Sequence, residues 1–154
     1  MTRLDRILGT VLGAGASPIM PGTCGSLVAL LVAIVLPERG YAFSCAALAA
    51  AATFGGLPVA SRFIAGTGRK DPQDFVLDEA AGQWIACWRP TPPSLLGFAL
   101  AFLLFRLFDM TKWGPVGRAE RLPGARGVVY DDVVAGLIAL PLSWGLEFAI
   151  LQLV

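Results

Sequence analysis

The residues best suited to chemistry in this chain are acids: Asp78-Glu79, Asp109 and Asp131-Asp132 all lie against apolar stretches, five of only eleven carboxylates. A carboxylate in low-dielectric surroundings takes up a proton unless a cation or several donors keep it ionised, so grouped acids point to a metal. Taken singly, such acids also serve as helix caps or solvated helix ends. The chain has no histidine, which removes Ser-His-Asp hydrolysis and the histidine-nucleophile phosphatases. The sixth residues after Cys24 and Cys87 are Leu30 and Pro93, so neither thiol heads an arginine-bearing phosphate loop. Carboxylate, metal, Lys/Arg and hydroxyl chemistry remain, and hard oxygen donors favour Mg²⁺ over zinc or copper.

The string FRLFDMTK supplies an anion-binding side, because Arg106, Asp109 and Lys112 recur at i, i+3 and i+6 and begin on one helical face. Arginine clamps phosphate bidentately and lysine adds a point charge. The same spacing also suits a structural Arg106–Asp109 ion pair. In PGTCGS, Gly22 and Gly25 let backbone N–H groups turn inward, Thr23 and Ser26 add hydroxyls, and a helix N-terminus follows. A plain turn followed by a cap is the competing account of that loop.

These groups need elements to position them. The 154 residues form a single domain, 1–154, with 56% hydrophobic against 15% charged residues and a mean hydropathy of +0.69, a balance that implies membrane contact. A net charge of only +1 excludes the strongly basic footprint of a nucleic-acid binder. Cys24, Cys45 and Cys87 are odd in number and lack CxxC spacing, so they read as small buried hydrophobes rather than a disulfide framework or zinc site.

Ser26 is expected to cap an apolar helix over 27–36, and the turn 37–40 leads into twenty uncharged residues, 41–60. A polar loop over 62–74 precedes a helix at 78–88, closed by Arg89-Pro90, and Ser94 caps a further helix to Phe108. A basic loop, 111–130, then leads to Asp131-Asp132, which open a last helix interrupted at Pro141. The fold class is therefore all-α, a compact bundle of apolar helices, membrane-associated or integral, with polar active-site loops at one end. Paired as hairpins, the segments leave only Arg39 and Arg89 at the far end and gather the other ten of twelve basic residues with the acids. The positive-inside rule makes that end cytoplasmic. A ten-residue helix spans only about 15 Å and cannot cross a hydrocarbon core of roughly 30 Å, so several helices are expected to be half-inserted or packed inside.

SPIMPGTCGS, LDEAAGQWI, FRLFDMTKWGP and VYDDVVAG, in this order, together resemble the phosphatidylglycerophosphatase A family over residues of about 12 to 140. The resemblance implies an all-helical, membrane-associated enzyme that uses Mg²⁺ to hydrolyse phosphatidylglycerophosphate to phosphatidylglycerol and phosphate, at the cytoplasmic face of the bacterial inner membrane. Asp78, Glu79, Asp109, Asp131 and Asp132 match the family's acidic positions and are expected to hold the metal. Arg106 and Lys112 match the basic ones and, with Gly22, Thr23, Gly25 and Ser26, are expected to bind the phosphate. Catalysis is expected from Asp109, Asp131 and Asp132, either around a water made nucleophilic by the metal or by direct attack of Asp131 or Asp132. Lys112-Trp113-Gly114-Pro115 departs from the family's usual Lys-Pro-x-Pro, which implies a looser turn after Lys112, and Glu120 stands where an aspartate is expected, so no site role is carried over to it. The competing class is a non-catalytic membrane ion or anion carrier whose intramembrane acids bind ions.

Overall fold

Prolines, glycines and one serine set where most of the helices begin. Pro21 takes the first position of a helix, where its missing N–H costs nothing, and Ser94 caps another by accepting from the Gly97 N–H at 3.2 Å. Gly40 and Gly68, both left-handed, bracket the helix between them, and Gly124 with φ of 62° opens the last one. The structure, a computed structural model, describes residues 1–153. Its helices in chain order are α1 (Arg3–Gly9), α2 (Pro21–Val35), α3 (Tyr41–Thr67), α4 (Leu77–Ala86), α5 (Leu95–Thr111), α6 (Pro115–Glu120) and α7 (Ala125–Leu151), with one 3-10 turn at Ala14–Ala16. No strand occurs among the described residues, and the all-α expectation holds.

Several expected boundaries move. Helix α2 starts at Pro21 rather than after Ser26, because proline at the first helical position is already set for the helix. Helix α3 runs through Gly55, Gly56 and Pro58 to Thr67, and α7 runs through Pro141. Both prolines are exposed, and buried residues on either side (Thr53 and Val59, Ala139 and Ser143) keep each helix packed across the lost hydrogen bond. Residues 111–130 are not one loop but carry α6 and the first turns of α7. Asp131 and Asp132 consequently lie inside α7, where neither can cap it.

Helix α4 is the axis of the bundle, packed against α2, α3, α5 and α7. Its Ala80, Ala81, Gly82, Gln83 and Ala86 are fully or almost fully buried, and their small size lets the outer helices approach. Those outer helices turn large apolar side chains away from the protein as well, among them Leu31, Phe43, Phe54, Leu103 and Phe148. Helices apolar on both faces are what a bilayer requires. α3 and α7, each 27 residues long, are long and apolar enough to cross a membrane, whereas the 15 residues of α2 are not. A second cluster, in which the Phe63 and Phe75 rings stand 5.3 Å apart beside Val128 and Val129, fastens the segment before α4 to α3 and α7.

Two glycines set the distance between α4 and α7. A Cβ on Gly136 would strike the Gly82 carbonyl oxygen, and one on Gly82 would meet the Asp132 carbonyl oxygen at 2.6 Å as well as the Phe105 ring. Gly82 lies one turn after Asp78, and Gly136 one turn after Asp132. The glycine contact therefore draws the two acidic turns together. At the opposite end the buried Arg89 donates to Glu147 and, at 3.0 Å, to Ser143 Oγ, while Glu147 also accepts from the Ser94 N–H at 3.0 Å. That polar knot ties the α4–α5 turn to α7.

Gly136→Ala and Gly82→Ala are each expected to destabilise the folded protein by about 1–3 kcal/mol through overpacking. Turnover should fall with them, whereas Gly145→Ala, with open space around its Cβ position, should change neither property. Thermal unfolding and activity in detergent provide the check.

Candidate active site

The first turns of α2 and α4, the C-terminal end of α5 and the second turn of α7 surround a cavity of about 440 Å³. All five expected acids, Asp78, Glu79, Asp109, Asp131 and Asp132, line it, together with Arg106 and Lys112. Four separate sequence strings thus converge on one place.

Within the cavity the acids divide into two sets. Lys112, in the left-handed conformation that ends α5 (φ 49°), donates from Nζ to Asp109 Oδ1 at 2.6 Å and to Asp131 Oδ2 at 2.8 Å. Arg106 donates from Nη1 to Asp109 Oδ2 at 2.6 Å and to Ser26 Oγ at 3.4 Å. Both oxygens of Asp109 are therefore committed, and so are those of Asp131, whose Oδ1 accepts from the Asp132 N–H at 2.9 Å. The Arg106–Asp109 pair expected from i, i+3 spacing is present. Burial opposes the charge on Lys112, but the carboxylates around it prevail and hold it protonated.

Asp78, Glu79 and Asp132 form the other set. One carboxylate oxygen from each lies within 4.8 Å of the others, and among the described residues no cationic side chain bonds to any of them. Glu79 Oε2 and Asp132 Oδ1 are buried without a hydrogen-bond partner. Like charges so placed repel by roughly 3 kcal/mol per pair at an effective dielectric near 20. Burial, and next the charge of Glu79, pushes the Asp78 carboxyl well above the usual carboxylate range, and burial raises Glu79 too. The trio must hold protons or share a cation. Three hard oxygen donors with unsatisfied lone pairs fit Mg²⁺.

The PGTCGS residues serve differently from the expectation. Gly22 and Thr23 line the cavity, and Gly22 lets α2 close on Glu79, since a Cβ there would strike Glu79 Oε1. Thr23 Oγ1 is buried and unpartnered. Gly25 and Ser26 do not line it: starting the helix at Pro21 turns them inward. A Cβ on Gly25 would meet Val76 Cβ at 2.7 Å, and Ser26 Oγ donates to the Gly22 carbonyl at 2.9 Å while accepting from Arg106. They support the site instead of facing a phosphate. Sequence reasoning missed Asp71, Gln73 and Phe75 in the cavity wall, because a short polar connection carries no spacing signal of its own.

With the geometry in place, comparison with known proteins decides the family. The profile of phosphatidylglycerophosphatase A matches residues 7–147. The chain belongs to the phosphatidylglycerophosphatase A family. It is an enzyme, a phosphoric monoester hydrolase, and the carrier reading falls away. A Bacteroides thetaiotaomicron protein with the provisional name phosphatidylinositol-3-phosphatase is 36% identical over 140 residues, covering 87% of each chain. The phosphatidylglycerophosphatase A of Escherichia coli K12 is 31% identical over 137 residues, 86% of this chain and 77% of that one. That of Haemophilus influenzae is 27% identical over 143 residues, 92% and 88% of the two chains. No solved structure gives a significant match.

The two sets of acids should separate under mutation. Asp132→Asn, which keeps size but removes charge from the trio, should lower turnover on the order of a hundredfold and abolish stabilisation by Mg²⁺. Asp131→Asn should leave that stabilisation in place, because Lys112 still has Asp109. Thermal shifts across a Mg²⁺ titration, read beside initial rates, distinguish the two.

Proposed function

We propose that the protein hydrolyses phosphatidylglycerophosphate to phosphatidylglycerol and inorganic phosphate, with Mg²⁺ as its cofactor. The observation that carries this reading is that three carboxylates without a cationic partner among the described residues share one cavity with two cationic side chains, in a helical bundle with apolar outer faces. The names of the Escherichia coli and Haemophilus influenzae relatives support the choice of substrate. The excess of basic residues on the side of the acids supports a cytoplasmic orientation in the inner membrane.

Asp78, Glu79 and Asp132 would hold the metal. When bound, it supplies Lewis-acid polarisation of the phosphoryl group and lowers the pKa of coordinated water. Arg106 and Lys112 bind the phosphoryl oxygens by redirecting donors now spent on Asp109 and Asp131. Asp109 and Asp131 keep those two cations in place. Thr23 Oγ1 gains its missing partner by donating to a phosphate oxygen. Asp132 Oδ1, uncommitted where both oxygens of Asp131 are engaged, accepts the proton of the attacking water. A direct-attack route would fall to Asp132 for the same reason. The diacyl tails stay in the bilayer beside the outward-facing apolar helices.

The provisional name of the Bacteroides relative favours a second substrate, phosphatidylinositol 3-phosphate, also a lipid phosphomonoester. Phosphate release from both lipids in mixed micelles decides between them. Rapid release from phosphatidylglycerophosphate with Mg²⁺ and none in excess EDTA is expected. Full turnover in EDTA would remove the metal from the mechanism, and faster release from the inositol lipid would transfer the assignment to it. Replacing Cys24, Cys45 and Cys87 together with Ala should keep turnover per folded molecule within about twofold, since no thiol lines the acid cavity.

A further inference from the structure

The acid cavity is not alone at its end of the bundle. A second cavity of about 590 Å³ adjoins it, and Pro18, Pro21 and Gln73 form walls of both. Its two charged residues are Arg69, placed directly after the left-handed Gly68 that ends α3, and Asp74. Neither side chain makes an ion pair or hydrogen bond among the described residues, and Arg69 is exposed. A guanidinium without a bonded partner, in a cavity that shares walls with the acid cavity, is placed to meet a second anionic group of one ligand.

Charge distinguishes the two cavities. The acid cavity, with six carboxylates against Arg106 and Lys112, accepts a dianionic phosphoryl group only with added metal. In the second cavity one cation stands near one acid, a balance suited to a singly charged phosphodiester and its neighbouring hydroxyls. Both lipids considered above contain such a diester a few bonds from the monoester, joining headgroup to diacylglycerol. The cavity also borders a turn with exposed apolar side chains. Its Gly15 and Pro18 belong to the turn that carries Leu12 and Ile19, which are 84% and 74% exposed. Two aliphatic side chains held out in this way are suited to the bilayer surface.

The geometry points to Arg69 and its cavity as the binding site for the phosphodiester of the substrate, with Arg69 as a specificity-determining residue that selects two-phosphate headgroups. This inference rests on the lipid phosphatase reading, but its test has a separate readout. Binding of short-chain phosphatidylglycerol, which keeps the diester and lacks the monoester, is measured by calorimetry on the purified protein in neutral micelles with Mg²⁺. Inorganic phosphate, which reports on the acid cavity, is measured beside it. Arg69→Ala should weaken phosphatidylglycerol binding about tenfold, the scale of one charge-assisted hydrogen bond, and leave phosphate binding unchanged. KM for phosphatidylglycerophosphate should rise by a similar factor with kcat within about twofold, and Arg69→Lys should be intermediate. Unaltered phosphatidylglycerol binding, parallel loss of both ligands, or no phosphatidylglycerol binding by the unmodified protein would overturn the proposal. Arg69-dependent binding in a protein that releases no phosphate would instead overturn only the hydrolytic reading.

Discussion

The contact between Gly82 and Gly136 is the constraint on which the rest of the structure depends. Asp78, Glu79 and Asp132 repel one another, and only an approach enforced elsewhere brings them within 4.8 Å. Packing provides that approach. Backbone meets backbone where α4 and α7 cross, with Phe105 of α5 closing over Gly82, and one turn earlier on each helix the acids face the same point. The Arg89–Glu147–Ser94 knot at the opposite end fixes α7 against the α4–α5 turn, so the crossing is held from both sides of the bundle.

From that crossing follows the division of labour among the acids. Asp109 and Asp131 are neutralised by Lys112 and Arg106, so their charge is accounted for within the protein. The trio is not, and its buried, unpartnered oxygens retain a large capacity to bind a cation. The arrangement keeps an anionic pole and a cationic pole in one cavity without collapsing the cations onto all the acids. Lys112 reaches both Asp109 and Asp131 because α5 ends on it in a left-handed turn, and Gly114 with Pro115 then starts α6 at once. The looser turn expected after Lys112 is therefore a short helix in its own right.

Much of this was legible in the sequence for physical reasons. Grouped acids in an apolar chain are costly enough to signal a shared purpose, and FRLFDMTK and VYDDVVAG each kept their residues on the face the site uses. The Ser94 cap was readable because its side chain does what an N-cap serine does. The start of α7 was not. Residues 111–130 looked polar and loop-like, while Gly124 begins the helix well ahead of the acids, a fact that turns Asp131-Asp132 from candidate caps into interior groups. PGTCGS misled in the opposite direction, since glycines and hydroxyls read as a loop although Pro21 starts a helix that turns Gly25 and Ser26 inward. The wall residues Asp71, Gln73 and Phe75 reach the site only through tertiary packing of a connecting segment on α3 and α7, which no local pattern records.

The central claim, that Asp78, Glu79 and Asp132 share one divalent cation while Asp109 and Asp131 belong to Lys112 and Arg106, is open to direct observation. Anomalous diffraction from crystals of the protein containing Mn²⁺ in place of Mg²⁺ locates the ion without reference to activity. A single peak is expected in the acid cavity, at ligand distance from the carboxylates of Asp78, Glu79 and Asp132. A peak held by Asp109 and Asp131, with Lys112 displaced, or no peak in the cavity at saturating Mn²⁺, would contradict it.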